Sequence, residues 1–151
     1  MSDLPIISGY AALWHSPTVD YAGADGRGYT ITFVPGCFSR VLRKRDTFAL
    51  LDHDRRRVIA SQKDGSLYLE EDDAGLRFSI RPWDTDWGNI AVSAVRHGIY
   101  RGASLAWCHE SREQDTLRDG VEIHEITEAG MWEVSLVKAA ANPRTLLAVQ
   151  G

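Results

Sequence analysis

The sequence predicts a mainly β fold, an antiparallel β-barrel with flanking helices. Three observations predict it. Short runs rich in β-branched and aromatic residues recur along the 151-residue chain. Glycine-bearing turns separate them, at Pro35-Gly36, Asp64-Gly65, Ala74-Gly75 and Ala129-Gly130. Only two segments repeat their apolar residues at helical spacing, and both are short.

In chain order, Ile6 to Trp14 is an apolar stretch of strand-like composition. Ser16 to Gly28 follows as a loop rich in Gly, Asp and Pro. Tyr29 to Val34 is made of β-branched and aromatic residues and ends at Pro35-Gly36. Phe38 to Arg45 reads as a short helix, because Phe38, Val41 and Leu42 fall on one face. After the apolar run Thr47 to Leu51, three strands are expected at Arg57 to Gln62, Ser66 to Glu71 and Leu76 to Arg81. In the last of these, Leu76, Phe78 and Ile80 alternate with Arg77 and Ser79, the period of a half-buried strand. The three together read as an antiparallel meander.

Asp84 to Gly98 changes to helical spacing. Asp86 or Asn89 is a candidate cap, Ile90, Ala94 and Val95 share a face, and Gly98 is a stop. Tyr100 to Cys108 is again a strand. Val121 to Thr127 and Met131 to Lys138 are expected to pair as a hairpin, with Trp132, Val134 and Leu136 on one face and Glu133, Ser135 and Val137 on the other. Asn142-Pro143 marks a turn in the tail. No repeat or linker divides the chain, so residues 1–151 are expected to form a single domain.

Composition narrows the function. Apolar residues make up 44% of the chain, enough for one core, and the net charge is −4, which provides no general field for nucleic acid. Local basic clusters at Arg40, Arg43, Lys44 and Arg45, and at Arg55, Arg56 and Arg57, read as solvated faces. The two cysteines, Cys37 and Cys108, make no disulfide framework and are expected to be small buried residues. There is no secretory pattern at the N-terminus and no apolar run near the roughly 20 residues that span a bilayer, so a soluble, intracellular protein is expected. Five tryptophans (Trp14, Trp83, Trp87, Trp107 and Trp132) could stack on bases in an oligonucleotide-binding barrel; filling the core or its rim is the plainer reading.

Three side chains stand out chemically, each with a plain alternative. His53, in Leu51-Asp52-His53-Asp54, is either held by a carboxylate at a cleft or lies in a surface loop. Ser104, in Gly102-Ala103-Ser104-Leu105-Ala106, has small neighbours that let a substrate approach, yet a strand serine is usually structural. Glu133 interrupts an apolar strand and must face solvent, a partner or a site, since unpaired burial of a carboxylate is costly. None of the five histidines pairs with another ligand at zinc spacing, and no phosphate-binding glycine loop occurs, because Gly23 to Gly28 lacks the lysine and the strand–loop–helix setting. No metal or cofactor is expected.

Read in order, these segments resemble one family. Ser8-Gly9-Tyr10-Ala11, Phe33-Val34-Pro35-Gly36-Cys37-Phe38, Leu51-Asp52-His53-Asp54, Asp73-Ala74-Gly75-Leu76, Gly102-Ala103-Ser104-Leu105 and Trp132-Glu133-Val134-Ser135-Leu136-Val137 with Ala141-Asn142-Pro143 are similar to successive motifs of the prohead maturation proteases of tailed phages. Those enzymes are distant relatives of the herpesvirus assemblins. The resemblance runs from Gly9 to about Leu147. It differs at Asp52, where the family usually has asparagine, at Ala60 and Ala106, where glycine is common, and before Asn142, where proline is expected.

The resemblance implies a β-barrel of the herpesvirus-protease type and a serine endopeptidase with His53 as base and Ser104 as nucleophile. Glu133 is the first choice for the third member of the triad, with Asp52, Asp54 and His124 as rivals. Arg112 and Arg118 follow the serine strand and are weaker candidates for the site. The implied substrate is the scaffolding part of the major capsid protein, or a separate scaffold, cleaved inside the assembling prohead in the bacterial host. The resemblance leaves self-cleavage, with loss of a tail near Gly151, and homo-oligomerisation open. It implies neither membrane nor nucleic acid as partner. The alternative is a non-catalytic assembly protein on the same barrel.

Overall fold

The computed structural model describes residues 4–18, 21–22, 28–109, 113–118 and 120–150. Side chains of residues 21–22, 108–109 and 113–118 are outside that description. Twelve strands and two helices alternate among the described residues: β1 (Ile6–Leu13), β2 (Tyr21–Ala22), β3 (Gly28–Phe33), α1 (Ser39–Lys44), β4 (Phe48–Leu51), β5 (Asp54–Ser61), β6 (Leu67–Glu71), β7 (Gly75–Ile80), α2 (Asp86–Arg96), β8 (Gly102–His109), β9 (Glu113–Arg118), β10 (Val121–Ile126), β11 (Ala129–Val137) and β12 (Leu147–Gln150). The mainly β class expected from the sequence holds.

The strands form three four-stranded sheets, in the orders β12-β1-β7-β6, β2-β3-β10-β9 and β5-β4-β11-β8. Among the described residues none of them closes on itself. Single bridges join them, Trp14 with Phe33 between the first and second and Gly102 with Leu146 between the third and the first. One continuous core fills the space between them: Ile7, Phe38, Leu51, Ile59, Phe78 and Leu136 are all fully buried in it. Close packing of such side chains is the main favourable term holding the sheets together.

Two expected pairings do not occur. The meander is broken because β5 pairs with β4, whereas β6 and β7 pair in a different sheet. Asp64 and Gly65 turn the chain between them: Asp64 Oδ1 accepts the Ser66 amide at 2.9 Å and Gly65 takes φ +80°. The β10–β11 hairpin is also absent. Both edges of β11 are taken, by β4 in parallel and by β8 in antiparallel register, and β10 pairs in parallel with β3 and in antiparallel fashion with β9. The second and third sheets are therefore mixed, whereas the first is wholly antiparallel. Alternation of side chains fixes which face a strand buries, but not which strand lies beside it.

Helix α2 is capped by Thr85, whose hydroxyl accepts the Gly88 amide at 3.2 Å, and not by Asp86 or Asn89. Its buried residues include Ala91, Val92 and Ala94, and Ile90 is exposed. Gly98 follows the helix at φ +71°, the expected stop. Along β11, a bulge against β8 between Met131 and Glu133 takes Trp132 out of the expected alternation and leaves it 55% exposed. The other four tryptophans are half-buried, as expected of a core rim.

Candidate active site

The turn between β4 and β5 carries His53. Leu51 pairs with Asp54, so Asp52 and His53 form a two-residue hairpin loop, and both are left-handed, at φ 53° and 57°. Hairpin turns of this kind need positive φ at both central residues and favour Asn-Gly. Asp and His are among the non-glycine residues that tolerate the region best. Here β11 imposes the conformation. The Asp52 amide donates to the Leu136 carbonyl at 3.0 Å, and the His53 amide donates to Ser135 Oγ at 3.0 Å.

Glu133 stands two residues before Ser135, on the same face of β11. It is only 6% exposed, so of the settings open to it, solvent, a partner or a site, the first does not hold. Its burial is offset by two partners on Oε1: the Ser135 hydroxyl donates at 2.8 Å, and His53 Nδ1 lies at 2.5 Å. A carboxylate only accepts, so Nδ1 is the protonated ring nitrogen in neutral His53 and Nε2 keeps a free lone pair. The imidazole itself is 42% exposed and open to a substrate.

Ser104 lies on β8 directly opposite Ser135 of β11. Directly paired residues in an antiparallel ladder project from the same face. Ser104 thus shares a face with Ser135 and Glu133, one strand from the histidine pair. Its hydroxyl makes no hydrogen bond to His53 among the described residues. Two of the three residues expected to act together are in contact, and the third is their neighbour across the sheet.

The rivals for the third position are engaged elsewhere. Asp52 Oδ2 accepts the Tyr100 hydroxyl at 2.5 Å and lies 3.6 Å from Arg57. Burial, with that bond to Asp52, pushes the Tyr100 phenol up to about 12, so it remains a donor at any physiological pH. Asp54 pairs with Arg56 at 3.1 Å and Arg57 at 3.3 Å, and its hydrogen bonds to Arg56 hold its carboxyl below the usual range. Arg57 in turn lies 4.8 Å over the Trp87 ring. His124 belongs to another sheet, where it stacks on Tyr29 and meets Glu122 at 2.9 Å.

Sequence reasoning missed two residues here. Ser135 ties the His53 backbone and the Glu133 carboxylate together; its place two residues after Glu133 was the available signal. Tyr100 had none, since it meets Asp52 across 48 positions.

Arg112 and the Gly23–Arg27 stretch lie outside the described residues, as do the side chains of Cys108, His109 and Arg118. Cys37 is fully buried, as expected, and that burial pushes its thiol up to about 12. Among the described residues no cluster of three or more metal-ligating side chains occurs, and no helix is long and apolar enough to cross a membrane. No curated protein matches the chain. The caudovirus prohead serine protease family matches residues 2–150, nearly the full length, and the chain belongs to that family.

Proposed function

We propose that the protein matures a phage capsid by serine-dependent cleavage, with Ser104, His53 and Glu133 as its catalytic residues. The observation that carries this reading is the 2.5 Å contact of His53 Nδ1 with the buried Glu133 carboxylate, with Ser104 on the same face one strand away. In the mechanism, Ser104 Oγ attacks the scissile carbonyl while His53 Nε2 takes its proton. The proton then passes to the leaving amine, and water releases the acyl group by the same route in reverse. Glu133 orients the ring and stabilises the imidazolium. Ser135 and Tyr100 act as positioning residues, through the His53 backbone and through Asp52. In free enzymes the nucleophile–base contact is often long and tightens only with substrate bound, which accords with the unengaged Ser104 hydroxyl.

The substrate in this reading is the scaffolding part of the major capsid protein, or a separate scaffold, cut inside the prohead in the host cytoplasm. The two bridges between sheets are in this reading the seams of a barrel of the assemblin type.

The test is co-expression with the neighbouring capsid gene product, wild type beside Ser104→Ala, followed by mass spectrometry of the capsid protein. A capsid protein shortened only by the wild type is expected. Intact capsid protein in both, in assembled particles, would transfer the assignment to a non-catalytic assembly protein.

A further inference from the structure

A groove of about 460 Å³ opens beside the site, on the sheet formed by β5, β4, β11 and β8. Phe48, Leu50 and Val58 line it from β4 and β5, and Met131 and Trp132 from the bulged part of β11. Glu133 belongs both to this lining and to the contact with His53. Phe48 and Trp132 are 43% and 55% exposed, large apolar surface left open at the groove. The bulge is what holds Trp132 outward.

The rim is basic although the chain as a whole is acidic, at −4. Lys44 of α1 and Arg55 of β5 line the groove, both exposed and without an ion pair among the described residues. Arg40 also lines it and is paired with Glu128 at 3.2 Å. Asp46 is the opposing acid, and the Glu133 carboxylate is already engaged by His53 and Ser135.

Register connects this groove to the reacting groups. Ser104 lies opposite Ser135, and Ser135 lies beside Leu50 on the next strand. Two strand spacings, about 10 Å, therefore separate the serine position from the groove floor. About three residues of extended polypeptide cover that distance. A substrate held at Ser104 and running past His53 across β11 arrives between Trp132, Phe48 and the two cations.

We propose that this groove is a specificity subsite for the polypeptide substrate, taking a large apolar side chain next to an acidic residue, about three residues from the scissile bond. The inference rests on Ser104 and His53 being the reacting groups. The apolar side chain gains burial against Phe48, Leu50 and Trp132, and the acidic one meets Lys44 and Arg55.

The test is digestion of a degenerate peptide library by wild type, Lys44→Glu/Arg55→Glu, Trp132→Ala and Ser104→Ala, with the cut sites read by mass spectrometry. Wild-type sites should be enriched in a large apolar residue beside Asp or Glu on one side of the bond. The charge-reversed variant should shift that preference from acidic to basic residues by roughly tenfold in relative rate. Trp132→Ala should weaken the apolar preference, and the other side of the bond should be unaffected in both. Wild-type sites without this enrichment, or a charge-reversed variant that cuts the same sites at the same rates, would overturn the subsite. So would a loss of sedimenting mass in that variant with specificity unchanged, since the groove would then be a self-association surface. Cleavage that survives in Ser104→Ala instead sinks the serine assignment, and the groove's preference is still read from the same digest.

Discussion

Two hairpin turns in this molecule begin in the same way and end differently. At the β4–β5 turn, Asp52 accepts a hydroxyl from Tyr100 at 2.5 Å; at the β6–β7 turn, Asp72 accepts one from Tyr10 at 2.6 Å. The second turn then satisfies itself locally. Asp72 Oδ1 accepts the amides of Ala74 and Gly75 at 2.8 and 3.1 Å, and the Asp72 amide reaches the Gly75 carbonyl at 2.9 Å. The first turn has no such local closure. Its two amides go to Leu136 and Ser135 on β11, and its two residues sit in left-handed conformations that cost of order 1–3 kcal/mol each. Such strain persists only where surrounding contacts over-determine it. The comparison teaches that Asp72 makes a turn, whereas Asp52 and His53 are bent to an address set by β11, where the imidazole meets Glu133.

The largest break in the comparison is at Glu133. Glu133→Gln removes the charge that faces His53 and can present an amide donor to Nδ1, favouring the wrong tautomer. Turnover should fall on the order of 10³–10⁴-fold with the fold retained, measured as capsid-protein cleavage beside circular dichroism. Asp72→Asn, the matching neutralisation at the other turn, should leave turnover within about twofold, because nothing in the mechanism passes through it. Equal losses in the two variants would show that the Glu133 effect is structural.

The next effect is on stability, and it is confined to the locally built turn. A Cβ placed on Gly75 would lie 2.0 Å from the Ala12 carbonyl oxygen, a backbone atom of the paired strand β1. Gly75→Ala must push the strands apart and should destabilise the fold by about 3 kcal/mol in urea unfolding. A loss under about 1 kcal/mol would mean that the β1–β7 contact yields easily.

These two turns also separate what was legible in the sequence from what was not. Ala74-Gly75 with the alternating Leu76, Phe78 and Ile80 announced a strand start, and all three side chains are fully buried. The Asp52-His53 turn announced nothing by local pattern, because its conformation comes from residues about 80 positions away. Resemblance, not periodicity, singled out His53, Ser104 and Glu133 together. Local reasoning left Glu133 open between solvent, a partner and a site, because burial of a charge is unfavourable without partners, and its partners are a distant histidine and a serine on its own strand. The broken meander and the missing β10–β11 hairpin have the same origin. The strands concerned were identifiable from composition, unlike β2, inside the segment read as a loop, and β9 and β12, which were not expected; but the parallel pairings of β10 with β3 and β11 with β4 depend on which edges remain free after folding.

A smaller effect compares the two tyrosines. Tyr100 is 7% exposed and bonds the aspartate that precedes His53, so Tyr100→Phe leaves Asp52 with Arg57 as its remaining partner. It should cost about 2 kcal/mol and lower turnover severalfold without altering substrate affinity, since it loosens the histidine and not the groove. Tyr10→Phe removes a bond of almost the same length at the other turn, which is partly open to water and locally closed. It should cost less than about 1 kcal/mol and leave turnover unchanged. Equal effects on turnover would remove the distinction between the turns.

The smallest effect is a pH dependence at the Asp72 turn. The Tyr10 hydroxyl, aided by the Ala74 and Gly75 amides, holds the Asp72 carboxyl below its ordinary value of 3.8. A carboxyl depressed on folding contributes stability that is complete above its unfolded value, and that is lost as pH falls through the folded one. Wild type should therefore exceed Asp72→Asn in Tm by about 2 °C at pH 6, and the gap should close between roughly pH 4 and pH 2. Surface screening keeps the effect this small. A gap that persisted at pH 2 would show that Asp72 holds the turn through its shape as an acceptor rather than through its charge. The same substitution would then report on hydrogen-bond geometry, and the two turns would differ only in where their amides find carbonyls and hydroxyls.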